Sequence, residues 1–259
     1  MALGLSLAGP LAAQIDYRNL DDDRPVRTED AYPVERYAFE LILPYHFEAE
    51  ADGASVHVTV PELAYGLFAN AQVGVKAPVA AVTEAGETEI GLSGMRVFAL
   101  YNFNTEGRWL PALSLRGDLS LPVGNLGGEA TRFTLKAIAT RSWGATRAHL
   151  NGAWSFGEDD EALAVAEPAD RWSMSLAVDH ALIRRSLLLI GEVAASEAVR
   201  GAPTEVNTAI GFRWQWTPTF VLDAGLQRRL RDDVGPDIGL TLGLSHAFAL
   251  HGLMPSRSR

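Results

Sequence analysis

The sequence predicts an all-β protein, a transmembrane antiparallel up-and-down β-barrel of about twelve strands. Three observations carry this. Segments alternating between apolar and polar residues recur along the chain, each near the ~9–11 residues that a tilted strand needs to cross a bilayer. Aromatic residues gather at the ends of these segments, as interfacial girdles do. The connections alternate between short and long, as periplasmic turns and outer loops do.

The alternation begins at residues 36–47. Tyr37, Phe39, Leu41, Leu43, Tyr45 and Phe47 share one face, and Ala38, Glu40, Ile42, Pro44 and His46 the other. At helical spacing the apolar set would circle the whole circumference, so a strand is favoured. Val56, Val58 and Val60 then oppose Ser55, His57 and Thr59, and Pro61-Glu62 stops that strand. Over 66–78, Leu67, Ala69, Ala71, Val73, Val75 and Ala77 oppose Asn70, Gln72, Gly74 and Lys76; residues 79–91 read as a loop rich in Thr, Glu and Gly. Met95, Val97, Ala99, Tyr101 and Phe103 oppose Arg96 and Asn102, and a tight connection follows at Thr105-Glu106-Gly107.

The clearest alternation lies in 109–121, with Leu113, Leu115, Leu119 and Leu121 against Ser114, Arg116, Asp118 and Ser120. Phe133, Leu135, Ala137 and Ala139 then oppose Arg132, Thr134, Lys136 and Thr140. Ala148, Leu150, Trp154 and Phe156 oppose Arg147, His149, Asn151 and Ser155. An acidic loop, 158–169, leads to Trp172, Met174, Leu176 and Val178 against Arg171, Ser173, Ser175 and Asp179. Alternation is poorest over 187–196, where Leu188 and Ile190 share a face with Glu192 and Ser196. Thr208, Ile210, Phe212, Trp214 and Trp216 oppose Asn207, Arg213 and Gln215. Phe220, Leu222, Ala224 and Leu226 oppose Asp223, Gln227 and Arg229, and the series closes on Ile238, Leu240, Leu242, Leu244 and Phe248.

Short connections are expected near Pro61, Glu106, Gly144, Arg184 and Pro218, and longer ones after Pro78, Leu121, Phe156 and Ser196. An even strand count puts both termini on the short-turn, periplasmic side. Residues 1–13 resemble the back half of a secretory signal peptide, with an apolar run but no basic start, and are assigned as a truncated signal. Residues 14–36 form a periplasmic N-terminal segment, 37–249 the barrel and 250–259 a C-terminal tail. The charge and position of 15–35 also suit a plug that enters the lumen from the periplasmic side.

Composition bounds the function. The apolar fraction is 47% and mean hydropathy only +0.03. No apolar run reaches the roughly eighteen residues of a membrane helix, whereas alternation dilutes the hydropathy of a barrel. The net charge of −10 argues against nucleic acid as a partner. Cysteine is absent, which removes disulfides, thiolate metal sites and a thiol nucleophile. Asp21-Asp22-Asp23 reads as a solvated loop rather than a calcium site, so neither metal nor cofactor is expected.

With the apolar face toward outer-membrane lipid, the lumen is lined by Glu40, Lys76, Arg96, Arg116, Asp118, Arg132, Lys136, Arg147, His149, Glu192, Arg213, Asp223 and Arg229. Two readings of that basic lumen stand side by side: ion-pair ladders that close it, or a pore preferring anions or polar solutes.

The order of several short motifs resembles the family named for the MetA pathway of phenol degradation, outer-membrane barrels described as transporters. They are Arg24-Pro25, Thr28-Glu29-Asp30-Ala31, Pro33-Val34-Glu35-Arg36 leading into Phe39-Glu40-Leu41, Leu119 to Gly124, Asn151-Gly152, Leu189-Ile190-Gly191-Glu192 and Asp237 to Phe248. Gly94-Met95 stands where that family often carries Gly-Asp, so one lumen acid is missing. The resemblance implies uptake of aromatic or other small hydrophobic compounds across the bacterial outer membrane.

A closed scaffold barrel without conductance is the structural alternative. An outer-membrane lipid hydrolase is the enzymatic one. It would draw on His149, Asn151 and Ser155, but these share the lumen face, whereas a lipid hydrolase needs its acyl-transfer site toward lipid. The expected class is therefore a channel or transporter, not an enzyme.

Overall fold

Alternating strands bury whichever face the solvent rejects, and here the polar face is inside. The computed structural model describes residues 15–50, 53–84, 86–157, 172–197, 201–231 and 234–253. The signal-like residues 1–13, the acidic loop 158–169 and Arg171 lie outside them. The strands are β1 (Ala38–Ala49), β2 (Ser55–Thr59), β3 (Glu62–Phe68), β4 (Ala71–Lys76), β5 (Val79–Glu84), β6 (Glu87–Leu92), β7 (Met95–Asn104), β8 (Ala112–Leu121), β9 (Arg132–Trp143), β10 (Thr146–Phe156), β11 (Trp172–Leu182), β12 (Leu187–Glu197), β13 (Glu205–Thr217), β14 (Phe220–Arg229) and β15 (Ile238–Ala249).

Twelve of these, β1, β3, β4 and β7 to β15, close into an antiparallel barrel. Closure is made by β15 against β1, in register from Ala38↔Ala249 to Ala49↔Ile238. Phe248 stacks on Phe39 at 5.4 Å across that seam.

Polarity is inverted relative to a soluble protein. The largest fully buried side chains include Arg24, Arg116 and Arg213, while Met174, Leu176 and Ile210 stand 54%, 53% and 65% exposed. Water would reverse that arrangement; lipid enforces it, because a closed sheet satisfies every ladder group and turns its apolar face outward. Phe103, Trp109, Trp143 and Trp216 ring the end carrying the short turns, and Phe133, Trp154 and Phe156 the end carrying the long loops.

The structure corrects the path of residues 55–92. The sequence puts a turn at Pro61 and a loop at 79–91. Instead the chain runs on through Pro61 and turns at residues 69–70, and 79–92 forms strands β5 and β6. β1 pairs along one half with β3 (Phe39↔Tyr65 to Ile42↔Glu62) and along the other with β2 (Tyr45↔Thr59 to Ala49↔Ser55). The strands β2, β5 and β6 thus leave the barrel as a three-stranded flap at the loop end.

The bend line is marked by proline. The carbonyls of Pro44, Pro61 and Pro78 accept from the N–H groups of Val60, Ala77 and Ser93, one strand to the next. A residue without an N–H cannot complete the ladder, so the sheet folds where these prolines align. Beyond the bend the valine face is inside: Val58 packs with Ala80 and Leu126, flanked by Val56, Val60 and Val82. The sequence reading, which gave these valines the same part as the lipid-facing residues elsewhere, is corrected here.

One turn is longer than expected. Trp109 and Leu110 precede β8 rather than beginning it. The guanidinium of Arg141 holds this connection by donating to the carbonyls of Gly107, Arg108 and Leu110.

Candidate functional site

The lumen is occupied by the chain itself. Residues 15–36, assigned by sequence to a periplasmic segment, enter at the turn end, rise to an apex near Asp22–Arg27 and return. The N–H of Ile15 donates to Pro218 at 3.1 Å and that of Tyr37 to Gly66 at 2.7 Å, so both ends of the segment are tied near short turns.

Each turn of this plug meets the wall through a polar contact. Asp22 receives Lys76 at 2.9 Å, Arg116 at 3.3 Å, Arg96 at 3.9 Å, and Lys136. Arg116 also holds Glu29 at 2.9 Å and its wall neighbour Asp118 at 2.8 Å, with its guanidinium 3.9 Å from the Phe98 ring centre. Arg24 binds Asp223 at 2.8 Å, and also Asp21 and Ser245. Arg213 binds Asp21 at 2.8 Å. Glu40 is buried beside this cluster.

The returning limb is read by its backbone. Thr28 donates to Glu192 from its N–H and from its hydroxyl, both at 2.6 Å. Glu29 and Asn151 exchange two bonds of 2.8 Å. The Ala31 N–H donates to Thr140 at 3.0 Å, and the Ala31 carbonyl accepts from Asn102 and Ser114. Gln72 accepts from the Val34 N–H at 2.6 Å, and the Tyr32 hydroxyl donates to Glu106 at 3.1 Å. A strand-like segment without a sheet partner must find one acceptor or donor per peptide, and these inward side chains supply them.

Apolar residues complete the fit. Of the four buried apolar clusters among the described residues, three join plug to wall. Leu20 and Val26 pack on Leu188, Ile190, Ala177 and Ala209; Ile15 packs with Val221 and Ala247; Ala31 packs with Leu100 and Ile138. This explains the poor alternation over 187–196: the inward leucine and isoleucine face the plug, not water.

Glycines clear the remaining space. Gly211 and Gly225 are paired across β13 and β14, and a Cβ on Gly225 would overlap the Pro25 carbonyl. On Gly211 it would lie 3.0 Å from the Pro25 ring. Gly225→Ala is expected to push the apex out of its seat, speeding tryptic cleavage after Arg27. Gly239→Ala, whose Cβ would meet nothing nearer than 3.4 Å, is expected to leave that rate unchanged.

The sequence-expected lumen residues all lie on the inward face, with different partners. Arg147 binds Asp30 at 3.2 Å and Asp179 at 2.8 Å. Lys76 also binds Glu62 at 3.1 Å, an inward acid that the sequence reading passed over. Arg132 borders a small cavity beyond the apex. Arg229 sits at the loop end, 2.5 Å from Asp237. The ion pairs expected as ladders that close the lumen are thus mostly bridges between plug and wall.

His149 is fully buried, 3.0 Å from the Thr140 hydroxyl and 2.9 Å from Asp179. It is not bonded to Asn151, which binds Glu29, and Ser155 pairs with Thr134 at 2.8 Å. Among the described residues, the hydroxyl bonded to His149 is that of Thr140, which lies beneath the plug, so these residues form no arrangement for acyl transfer at a lipid-facing surface.

Ion pairs of this kind nearly break even against their own desolvation, whereas stripping one partner costs about 3–5 kcal/mol. Plug acids outnumber plug bases, and they meet wall cations at Lys76, Arg96, Arg116, Lys136, Arg147 and Arg213, so the fit is complementary.

Among the described residues, two cavities border the apex on the side of the loop end. The smaller, about 80 Å³, is bordered by Asp118, Arg132, Lys136, Asn151 and Ser155. The larger, about 280 Å³, lies between the apex and strands β1, β2 and β15.

No protein-family model matches the chain, and no curated protein matches it. Solved structures do. The COG4313 outer membrane channel from Pseudomonas putida F1 superposes with a TM-score of 0.64 at 14% identity, over 89% of this chain and 100% of that one. A KdgM porin gives 0.55 at 11% identity, over 82% and 99%. A NanC porin gives 0.52 at 10% identity, over 82% and 100%. At these identities the likeness is one of fold, that of bacterial outer-membrane barrels.

Proposed function

We propose that this outer-membrane barrel is a channel for small solutes, closed at rest by its own N-terminal segment. The carrying observation is how the plug is held: by charged and polar side chains around its whole path, rather than by one continuous apolar core. Such contacts can be exchanged for water or solute at modest cost. The fold it shares with porins supports the same reading. Small aromatic or other apolar compounds are the cargo that the motif resemblance suggests, and the valine-lined cavity at the loop end suits such a body.

A closed scaffold barrel is the second reading, favoured by the same filled lumen. Planar-bilayer recording of the refolded full chain separates the two. Brief, discrete openings separated by long closures are the expected result. Complete silence from inserted protein across the accessible voltage range would favour the scaffold.

A further inference from the structure

The larger cavity has two unlike sides. One is apolar: Ile42 and Pro44 of β1 with Val56, Val58 and Val60 of the flap. The other is the plug apex with Asp22, Asp23 and Arg27, flanked by Lys76, Arg96 and Glu62. Its volume of about 280 Å³ lies near the lower end of small-molecule sites, about 300–1,000 Å³.

The cations at this floor are already engaged. Lys76 is held between Asp22 and Glu62, Arg96 reaches Asp22, and Arg27 donates to Ser196 at 3.2 Å. Asp23 is different. It borders both cavities, and no hydrogen bond or ion pair to it exists among the described residues. Its backbone has φ = 65°, a left-handed conformation that aspartate tolerates better than most side chains, and Lys136 and His46 lie near enough to feel its charge. His46, Glu48 and Glu205 are the other ionisable groups around the space, so its acids outnumber its bases.

We propose that this cavity binds a small organic cation with an apolar body. The ammonium or amidinium group donates to the Asp23 carboxylate, and the hydrocarbon lies along Val56, Val58 and Val60. The assignment deepens the channel reading and rests on it for its meaning in transport: the plug then both closes the lumen and supplies the recognising acid.

The test uses three probes of one shape, benzylamine, benzyl alcohol and benzoate, titrated into the refolded full chain in detergent micelles and followed by calorimetry and saturation-transfer NMR. Benzylamine is expected to bind about tenfold tighter than benzyl alcohol, the gain of one charge-assisted hydrogen bond, and benzoate weakest. Asp23→Asn should abolish the preference for the amine. Asp23→Gly, which relaxes the backbone and also removes the carboxylate, should do the same, so the loss would not stem from distortion. Val58→Thr should weaken amine and alcohol by similar factors. Equal binding of amine and alcohol, tighter benzoate, or a preference that survives both Asp23 variants would overturn the proposal. Recording from the same preparations keeps the two readings apart. Amine preference in a barrel that never conducts would keep the site and remove the channel; conductance without preference would do the reverse.

Discussion

A barrel lacking residues 15–35 is expected to conduct continuously where the full chain opens only briefly. The segment fills the lumen from the turn end to the level of Lys76 and Arg116, and nothing in the described wall takes its place once it is gone. The wall should survive the deletion, because Lys76–Glu62, Arg116–Asp118 and Arg147–Asp179 are pairs within the barrel itself. A twelve-stranded barrel falls between the small barrels that side chains fill and the larger ones that leave an aqueous channel. At the depth of the plug the exposed wall then carries Lys76, Arg96, Arg116, Arg132, Lys136, Arg147 and Arg213 against Glu40, Glu62, Asp118, Asp179, Glu192 and Asp223. Its current should therefore prefer anions, read as the reversal potential in a salt gradient. A deletion variant that inserts and stays as quiet as the full chain would show that the wall, not the plug, closes the lumen.

Replacing Arg116 by Met should be among the most damaging single changes. It leaves Glu29 and Asp118 without their guanidinium and withdraws one of the four cations around Asp22. Stripping the partner from buried carboxylates costs about 3–5 kcal/mol, measurable as a lower denaturant midpoint in micelles. In the barrel without residues 15–35 only Asp118 loses its partner, so the same substitution should cost distinctly less. The difference between the two backgrounds is the coupling of Arg116 to the plug. An equal loss in both would assign Arg116 to the wall alone.

Much of the barrel was legible because lipid and lumen impose a period of two on every crossing. Leu113, Leu115 and Leu119 against Ser114, Arg116 and Asp118 assign their faces without any knowledge of the fold. The plug was harder to read. Its acidic composition suited a solvated tail as well as a lumen filling, and only its position beside a basic lumen spoke for the latter. The signals that could have separated the two lay in the wall: inward Leu188, Ile190, Leu100 and Ile138, which no water-filled lumen needs, and the inward glycines Gly211, Gly225 and Gly243. Asp23 carried no signal of its own, since whether a hydrogen bond reaches it among the described residues depends on where every other charge ends.

The flap was misread for a physical reason. A proline is normally a terminator, and by sequence Pro61 and Pro78 each mark the end of a strand; within a sheet, aligned prolines instead crease it. Whether a crease or an end follows depends on whether a neighbouring strand supplies the next N–H, as Val60, Ala77 and Ser93 do.

By itself, then, the sequence determined the class of fold, the face that meets lipid and the charged character of the wall, because these follow from local alternation and composition. Only the tertiary structure decided that the lumen is filled, which cation meets which acid, and that one aspartate at the apex is left facing open space. Those are pairings between residues as far apart as Arg24 and Ser245, and no local pattern encodes a contact that exists only after the barrel has closed around its own N-terminal segment.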